Sequence, residues 1–205
     1  PNRLVAKVSR MEVARRFLSP PPSKMLAELV TRGDLSEEQA RMAQSIPVAQ
    51  DLTVEADSGG HTDNRPAIAL LPAILALRDR IQAEYDYAVP LRVGSAGGIS
   101  TPHSVAAAFA MGADYVVTGS VNQACREAGT SDTVRQMLAQ AEQADVTMCP
   151  AADMFEMGVR LQVLKRGTMF PMRAHRLYDL YRAHGGLEDL SDDERKNLED
   201  TIFRK

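Results

Sequence analysis

The fold is decided by residues 91–120, LRVGSAGGISTPHSVAAAFAMGADYVVTGS, in which one helical segment separates two apolar strands. The first strand runs into the pair Gly97-Gly98, and the second runs into Gly119-Ser120. Two parallel strands joined by a single helix place both turns at the same edge of a sheet. Glycine allows peptide N–H groups to approach an anion closely. This stretch therefore predicts a phosphate-binding edge.

The rest of the chain repeats the alternation of strand and helix. Apolar strand patterns occur four times, and helical sequence separates each from the next; they lie at residues 3–8, 52–56, 91–94 and 114–118. This order predicts an α/β protein with one parallel sheet. About four βα units amount to half of an eight-stranded (β/α)8 barrel. We favour the half barrel over an open doubly wound sheet, because the glycine turns follow late strands and no Gly-x-Gly-x-x-Gly follows the first one.

Two further regions extend this half barrel. Residues 20–47 contain two helical patterns, and they predict a helical insertion that forms either a lid or docking surface or a hairpin without a binding role. We expect residues 1–145 to form the half barrel and residues 146–205 a helical C-terminal extension. Within the extension, helices are predicted at about 151–164, 173–181 and 192–202. A further helix is predicted just before it, at about 134–144.

Composition excludes several classes of function. The net charge is −3 and basic residues are scattered among acidic ones, so the sequence predicts no nucleic-acid partner. The longest apolar stretch, Ala67–Leu77, is interrupted by Pro72 and is too short to span a membrane. Cys125 and Cys149 have no metal-ligand spacing, and they indicate reduced thiols of a cytoplasmic protein. Because the chain opens directly on a strand pattern without an initiator methionine, we expect a fragment.

The richest polar segment follows the second strand. Residues 57–66, DSGGHTDNRP, place His61 just beyond a strand end in a glycine-rich loop that should face the phosphate edge. An imidazole there can bind a substrate carbonyl or transfer a proton near neutral pH. A structural histidine is the alternative. Asp63, Asn64 and Arg65 are expected to hold the loop or to orient His61.

Four motifs carry a family resemblance. The longest motif is VEADSGGHTDNRP at residues 54–66, and the three shorter ones lie at 93–99, 117–123 and 150–158. Together they resemble the PfaD-type trans-acting enoyl reductases of polyketide and polyunsaturated fatty acid synthases. That family belongs to the nitronate monooxygenase-like flavoproteins, which are FMN-binding (β/α)8 barrels. The resemblance covers the whole chain, which matches the C-terminal half of a protein about twice as long. Asp57-Ser58, inserted ahead of the glycines, favours the reductase branch.

The resemblance implies a reaction and a set of residues. It implies an oxidoreductase in which NADPH reduces FMN and the flavin reduces a 2-enoyl thioester on an acyl carrier protein. His61 is the implied catalytic residue. We expect no metal site and no membrane partner, and a homodimer is left open. The implied cofactor-binding residues are Lys7, Gly59, Gly60, Ala96, Gly97, Gly98, Gly119 and Ser120.

Three alternatives stay open at this stage. A nitronate monooxygenase would share the fold and FMN but would consume oxygen. A carrier-protein docking fragment without catalysis would use its helical regions and bind no flavin. For Lys7, a surface lysine that lies along apolar groups is as plausible as a contact to the flavin or to the acyl thioester.

Overall fold

The computed structural model describes residues 4–203, which form two compact units. The first unit comprises residues 4–58 and 62–122, and the second comprises residues 59–61 and 123–203. Among the described residues, no helix has the length and apolar character that crossing a bilayer requires. The division between barrel and extension at residue 145 stays a prediction.

The first unit contains a four-stranded parallel sheet. Its strands are β1 (Val5–Val8), β2 (Asp51–Glu55), β4 (Arg92–Ala96) and β5 (Tyr115–Val117), and they lie side by side in the order β1-β2-β4-β5. All three pairings are parallel. The predicted α/β class and barrel half are therefore confirmed. The predicted strand start at Arg3 lies outside the described residues.

One face of this sheet forms the core with three helices. These are α1 (Met11–Leu18), α4 (Ala67–Tyr85) and α5 (Pro102–Ala110). Because successive side chains of a strand alternate between faces, Leu52 and Val54 of β2 point to this core and are fully buried. Asp51, Thr53 and Glu55 point to the opposite face, which accordingly carries polar groups.

The predicted insertion consists of two short helices. They are α2 (Ser23–Thr31) and α3 (Glu37–Ala43). Ser36 caps α3: its hydroxyl accepts from the Gln39 amide at 3.1 Å, and the Gln39 side chain accepts from the Ser36 amide at 2.8 Å. This capping box fixes the start of α3, and it is formed by residues only three positions apart.

The second unit combines a small antiparallel sheet with helices. Its strands are β3 (Gly60–His61), β6 (Val146–Pro150) and β7 (Arg160–Leu164), in the order β3-β7-β6. The short α6 (Ser120–Gln123) straddles the boundary between the units, and the second unit's own helices are α7 (Asp132–Ala139), α8 (Phe170–Ala183) and α9 (Asp192–Thr201).

The helix predicted over residues 151–164 is wrong. Gly158 has φ +69°, a conformation that interrupts a helix, and residues 160–164 pair with strands on both sides. Met154, Phe155 and Met157 have the spacing of apolar residues on one face of a helix, and this spacing led to the wrong prediction. In the structure these residues belong to the loop between β6 and β7, so the extension is not helical throughout.

Candidate functional site

The two glycine turns lie at one edge of the parallel sheet, as the sequence predicted. β4 and β5 are neighbours and run parallel, with Ala96 opposite Val117. Gly97-Gly98 follows the first strand directly, and Gly119-Ser120 follows the second after one residue. Both turns therefore belong to the carboxyl-terminal edge, where parallel α/β proteins bind ligands.

The turn after β4 requires glycine for its own geometry. Gly97 has φ +90°, and a Cβ there would lie 2.5 Å from the Ala56 carbonyl oxygen. Gly98 has φ +69°, but the nearest atom to its Cβ would be the Asp57 carbonyl oxygen at 3.9 Å. Gly97 thus lets two strand ends approach each other, whereas Gly98 leaves space beside the turn.

The helix after this turn is capped by its own hydroxyl groups. The Ser104 amide donates to Thr101 Oγ1 at 3.1 Å, and Ser104 Oγ accepts from the amides of Ser100 and Thr101 at 3.1 and 3.0 Å. The amides of Ser100, Thr101 and Ser104 are therefore engaged in this cap, and the role of Gly97 and Gly98 toward an anion stays a prediction.

The turn after β5 does not require glycine. Gly119 lies outside the left-handed region, and in the part of the chain that the structure describes no atom beyond its chain neighbours lies within 4 Å of where its Cβ would be. Asn122 shapes the turn: its side-chain amide donates to the Thr118 carbonyl at 2.9 Å, and its side-chain oxygen accepts from Thr118 Oγ1 at 3.1 Å. Neither the backbone conformation nor the packing of the described residues explains the glycine.

Lys7 lies on β1 and forms an ion pair across the sheet. Its ammonium is 2.8 Å from Oε1 of Glu55, and the Lys7 side chain is 61% exposed. Glu55 Oε1 also accepts a hydrogen bond of 3.5 Å from the Ser58 hydroxyl. Because Glu55 balances its charge, Lys7 has a defined structural partner, and its role toward a cofactor stays a prediction.

The polar face of the sheet carries an array that sequence reasoning missed. Arg92 donates two hydrogen bonds of 2.7 Å to the carboxylate of Asp51, which is 5% exposed, and this pairing raises the pKa of Arg92. Thr53 Oγ1 and the Tyr115 hydroxyl lie 3.0 Å apart, and burial raises the pKa of Tyr115. The array depends on the register Thr53–Gly94–Tyr115, in which Gly94 leaves space for the Tyr115 ring, and the sequence carries no local signal for that register.

The loop around His61 is closed by bonds within the first unit. The Asp57 amide donates to the Arg65 carbonyl at 2.8 Å, and the Thr62 hydroxyl donates to Asp57 Oδ1 at 3.2 Å. Asp63 accepts a hydrogen bond from the Ser9 hydroxyl. These contacts agree with the loop-holding role expected for Asp63.

His61 does not lie in an irregular loop as expected, but on strand β3. It pairs with Leu161 of β7, and Gly60 pairs with Gln162. Its Nε2 lies 3.1 Å from Oδ1 of Asp153, and the two side chains are 41% and 62% exposed. Gly60 has φ +84°, and its Cβ position is open. Gly59 begins the segment 59–61, which belongs to the second unit. Asp153 lies in one of the motifs that carry the family resemblance, but its sequence context predicted no role for it.

The chain combines a parallel barrel half, two glycine turns at one edge and, in the second unit, a histidine beside a carboxylate. Of these features, the glycine turns have a known counterpart, because the loops after late strands often form the phosphate site of (β/α)8 barrels. The sequence profile of the nitronate monooxygenase family matches residues 36–178. The chain belongs to the nitronate monooxygenase family.

Individual proteins of known pathways are similar to this chain over its whole length. One subunit of the polyunsaturated fatty acid synthase from Thraustochytrium sp. is 49% identical over the whole of this chain, which spans 14% of that protein. The polyketide biosynthesis protein PksE from Bacillus subtilis is 47% identical, and the chain spans 27% of it.

Solved structures agree with these relatives. The crystal structure of the enoyl reductase domain of MlnA, from the macrolactin biosynthesis cluster of Bacillus amyloliquefaciens, superposes with a TM-score of 0.91 at 43% identity. The match covers 97% of this chain and 45% of that one. FabK from Thermotoga maritima, at 18% identity and a TM-score of 0.52, shares the fold.

Proposed function

We propose that this chain is part of an FMN-dependent enoyl reductase that uses NADPH and acts in trans on 2-enoyl thioesters carried by an acyl carrier protein. The observation that carries the proposal is the match of nearly the whole chain to the enoyl reductase domain of MlnA. The relatives, a polyunsaturated fatty acid synthase subunit and a polyketide biosynthesis protein, support a carrier-bound substrate.

The residues at the sheet edge fit a flavin nucleotide. The amides of Gly97, Gly98 and Ile99 would hold the phosphate on one side, and Gly119 with the Ser120 amide and hydroxyl on the other. The open space beside Gly119 supports this fit, because a side chain there would occupy it. Ala96, Gly59, Gly60 and Lys7 stay proposed cofactor contacts.

Bound FMN would supply the hydride that adds to the β-carbon of the enoyl thioester. The addition places negative charge on the thioester oxygen, and the α-carbon then takes up a proton. The protein must stabilise that charge and deliver the proton. His61 has a partly exposed imidazole that can do either, and it is the catalytic residue in this proposal.

The test uses the intact protein under anaerobic conditions. NADPH should bleach the flavin absorbance, and a 2-butenoyl thioester on a carrier protein should restore it while the saturated thioester forms. His61→Ala should keep the flavin and lose at least about 100-fold in kcat, the scale of one general acid. Unchanged turnover in His61→Ala would remove the assignment. Oxygen uptake with propionate 3-nitronate, without enoyl reduction, would instead establish a nitronate monooxygenase.

A further inference from the structure

The contact between His61 and Asp153 joins residues that are 92 positions apart in the sequence. We infer that Asp153 is the positioning residue of His61, an inference that rests on the proposed function. Its carboxylate accepts the Nε2 hydrogen and thereby leaves Nδ1 as the atom that faces the substrate. A carboxylate only accepts hydrogen bonds, so the imidazole nitrogen beside it must be the donor.

The backbone brings the two side chains together through strand β7. His61 pairs with Leu161 on one side of that strand, and Cys149 of β6 pairs with the same residue on the other side. Asp153 lies three residues beyond the end of β6, in the loop that leads back to β7. The same hairpin therefore holds the imidazole through its strand and the carboxylate through its loop.

Packing within the second unit fixes the loop that carries Asp153. The Ala151 amide donates to the Val159 carbonyl at 2.8 Å and closes the loop at its base. The Phe155 ring packs edge-on against Tyr178 of α8, with ring centres 5.3 Å apart. Gly158 lies so close that a Cβ there would be 2.6 Å from the Tyr178 hydroxyl. Asp153 thus sits between fixed points, as a positioning group requires.

The carboxylate would have two effects on the reaction. It holds the Nε2 hydrogen in both the neutral and the protonated ring, so that the protonated ring presents its Nδ1 hydrogen to the thioester. It also stabilises the positive charge that His61 carries before it gives up the proton. When that proton moves from Nδ1 to the α-carbon, the ring returns to the neutral Nε2–H tautomer and Asp153 keeps its charge.

The first test is a double-mutant cycle in the intact protein. Asp153→Asn should lower kcat roughly tenfold and leave KM and flavin content unchanged. A tenfold loss is the scale expected when a residue that orients a functional histidine is removed. Asp153→Glu should recover part of the loss. In a His61→Ala background, Asp153→Asn should cost nothing more. An equal loss in both backgrounds would show an independent structural effect and overturn the inference.

A matched control uses the same loop. Glu156 is an exposed carboxylate three residues after Asp153, and Glu156→Gln removes the same charge. It should leave kcat unchanged. A tenfold loss in Glu156→Gln would mean that any negative charge on this loop acts on the reaction, and it would overturn the specific role of Asp153.

The second test does not depend on catalysis. Nitrogen-15 spectra of histidine-labelled protein should show the His61 ring, identified by its loss in His61→Ala, as the Nε2–H tautomer. Asp153→Asn should give a mixture of tautomers. A wild-type protein that holds this tautomer but reduces no enoyl thioester would overturn the proposed function alone. A mixed tautomer in an active wild-type protein would overturn this inference alone.

Discussion

The glycine turns after β4 and β5 look alike in the sequence but have different physical origins. At Gly97 the fold itself requires glycine, because the backbone is left-handed and the carbonyl of Ala56 leaves no space for a side chain. At Gly119 the backbone conformation is open to any residue, and no atom of the described residues outside the turn lies within 4 Å of the Cβ position. The first glycine is explained by chain packing, whereas the described residues do not explain the second, which the proposed phosphate site would account for. Substitutions at the two turns should therefore separate stability from cofactor binding.

The largest effect is expected for Gly97→Ala. A left-handed alanine costs roughly 1–2 kcal/mol, and forcing a methyl group against the backbone adds roughly 1–3 kcal/mol. The free energy of unfolding, measured by urea denaturation of the intact protein, should fall by about 2–5 kcal/mol. Gly98→Ala shares the positive φ without the close contact, so it should lose only about 1–2 kcal/mol. Equal losses at both positions would contradict the role given to the Ala56 carbonyl.

The next effect concerns ligand binding without a loss of stability. Gly119→Val should leave the free energy of unfolding of the flavin-free protein within about 0.5 kcal/mol, because no atom of the described residues outside the turn lies within 4 Å of the Cβ position. It should weaken FMN binding at least tenfold, about 1.4 kcal/mol, measured by the flavin retained on dialysis.

Gly129 provides the control for this comparison. It also has an open Cβ position and lies in the second unit, outside the parallel sheet. Gly129→Val should change neither the stability nor the flavin content. Full flavin retention in Gly119→Val would remove the turn after β5 from the proposed phosphate site.

The smallest effect is expected for Asn122→Ala. This change removes two exposed hydrogen bonds to Thr118, so we expect a cost of about 0.5–1 kcal/mol and a two- to fivefold weaker affinity for FMN. Titration of the flavin-free protein with FMN measures this change. If the affinity is unaffected, the shape of the turn after β5 does not depend on Asn122.

The hairpin in the second unit shows where sequence reasoning failed. The segment 151–164 has apolar residues at helical spacing, yet Arg160–Leu164 is a strand. Spacing is a local property, whereas this strand forms because two others pair with it, one of them β3. Glycine at position 158 and proline at position 150 indicated a break, but they do not specify a strand partner.

The sequence by itself determined the elements whose signals lie within a few residues. These are the strands of the parallel sheet, the capping boxes at Ser36 and Thr101, and the glycine turns at the edge of β4 and β5. Hydrophobic alternation, side-chain caps and backbone freedom act over such short distances, so they can be read directly from the chain.

Only the tertiary structure decided which distant groups meet. The Asp51–Arg92 pair, the fit of the Tyr115 ring over Gly94 and the contact between His61 and Asp153 each join residues on different strands or loops. Such contacts depend on strand register and on the path of the chain between elements. No local pattern encodes them, because the free energy of these pairings is gained only after the sheets have formed.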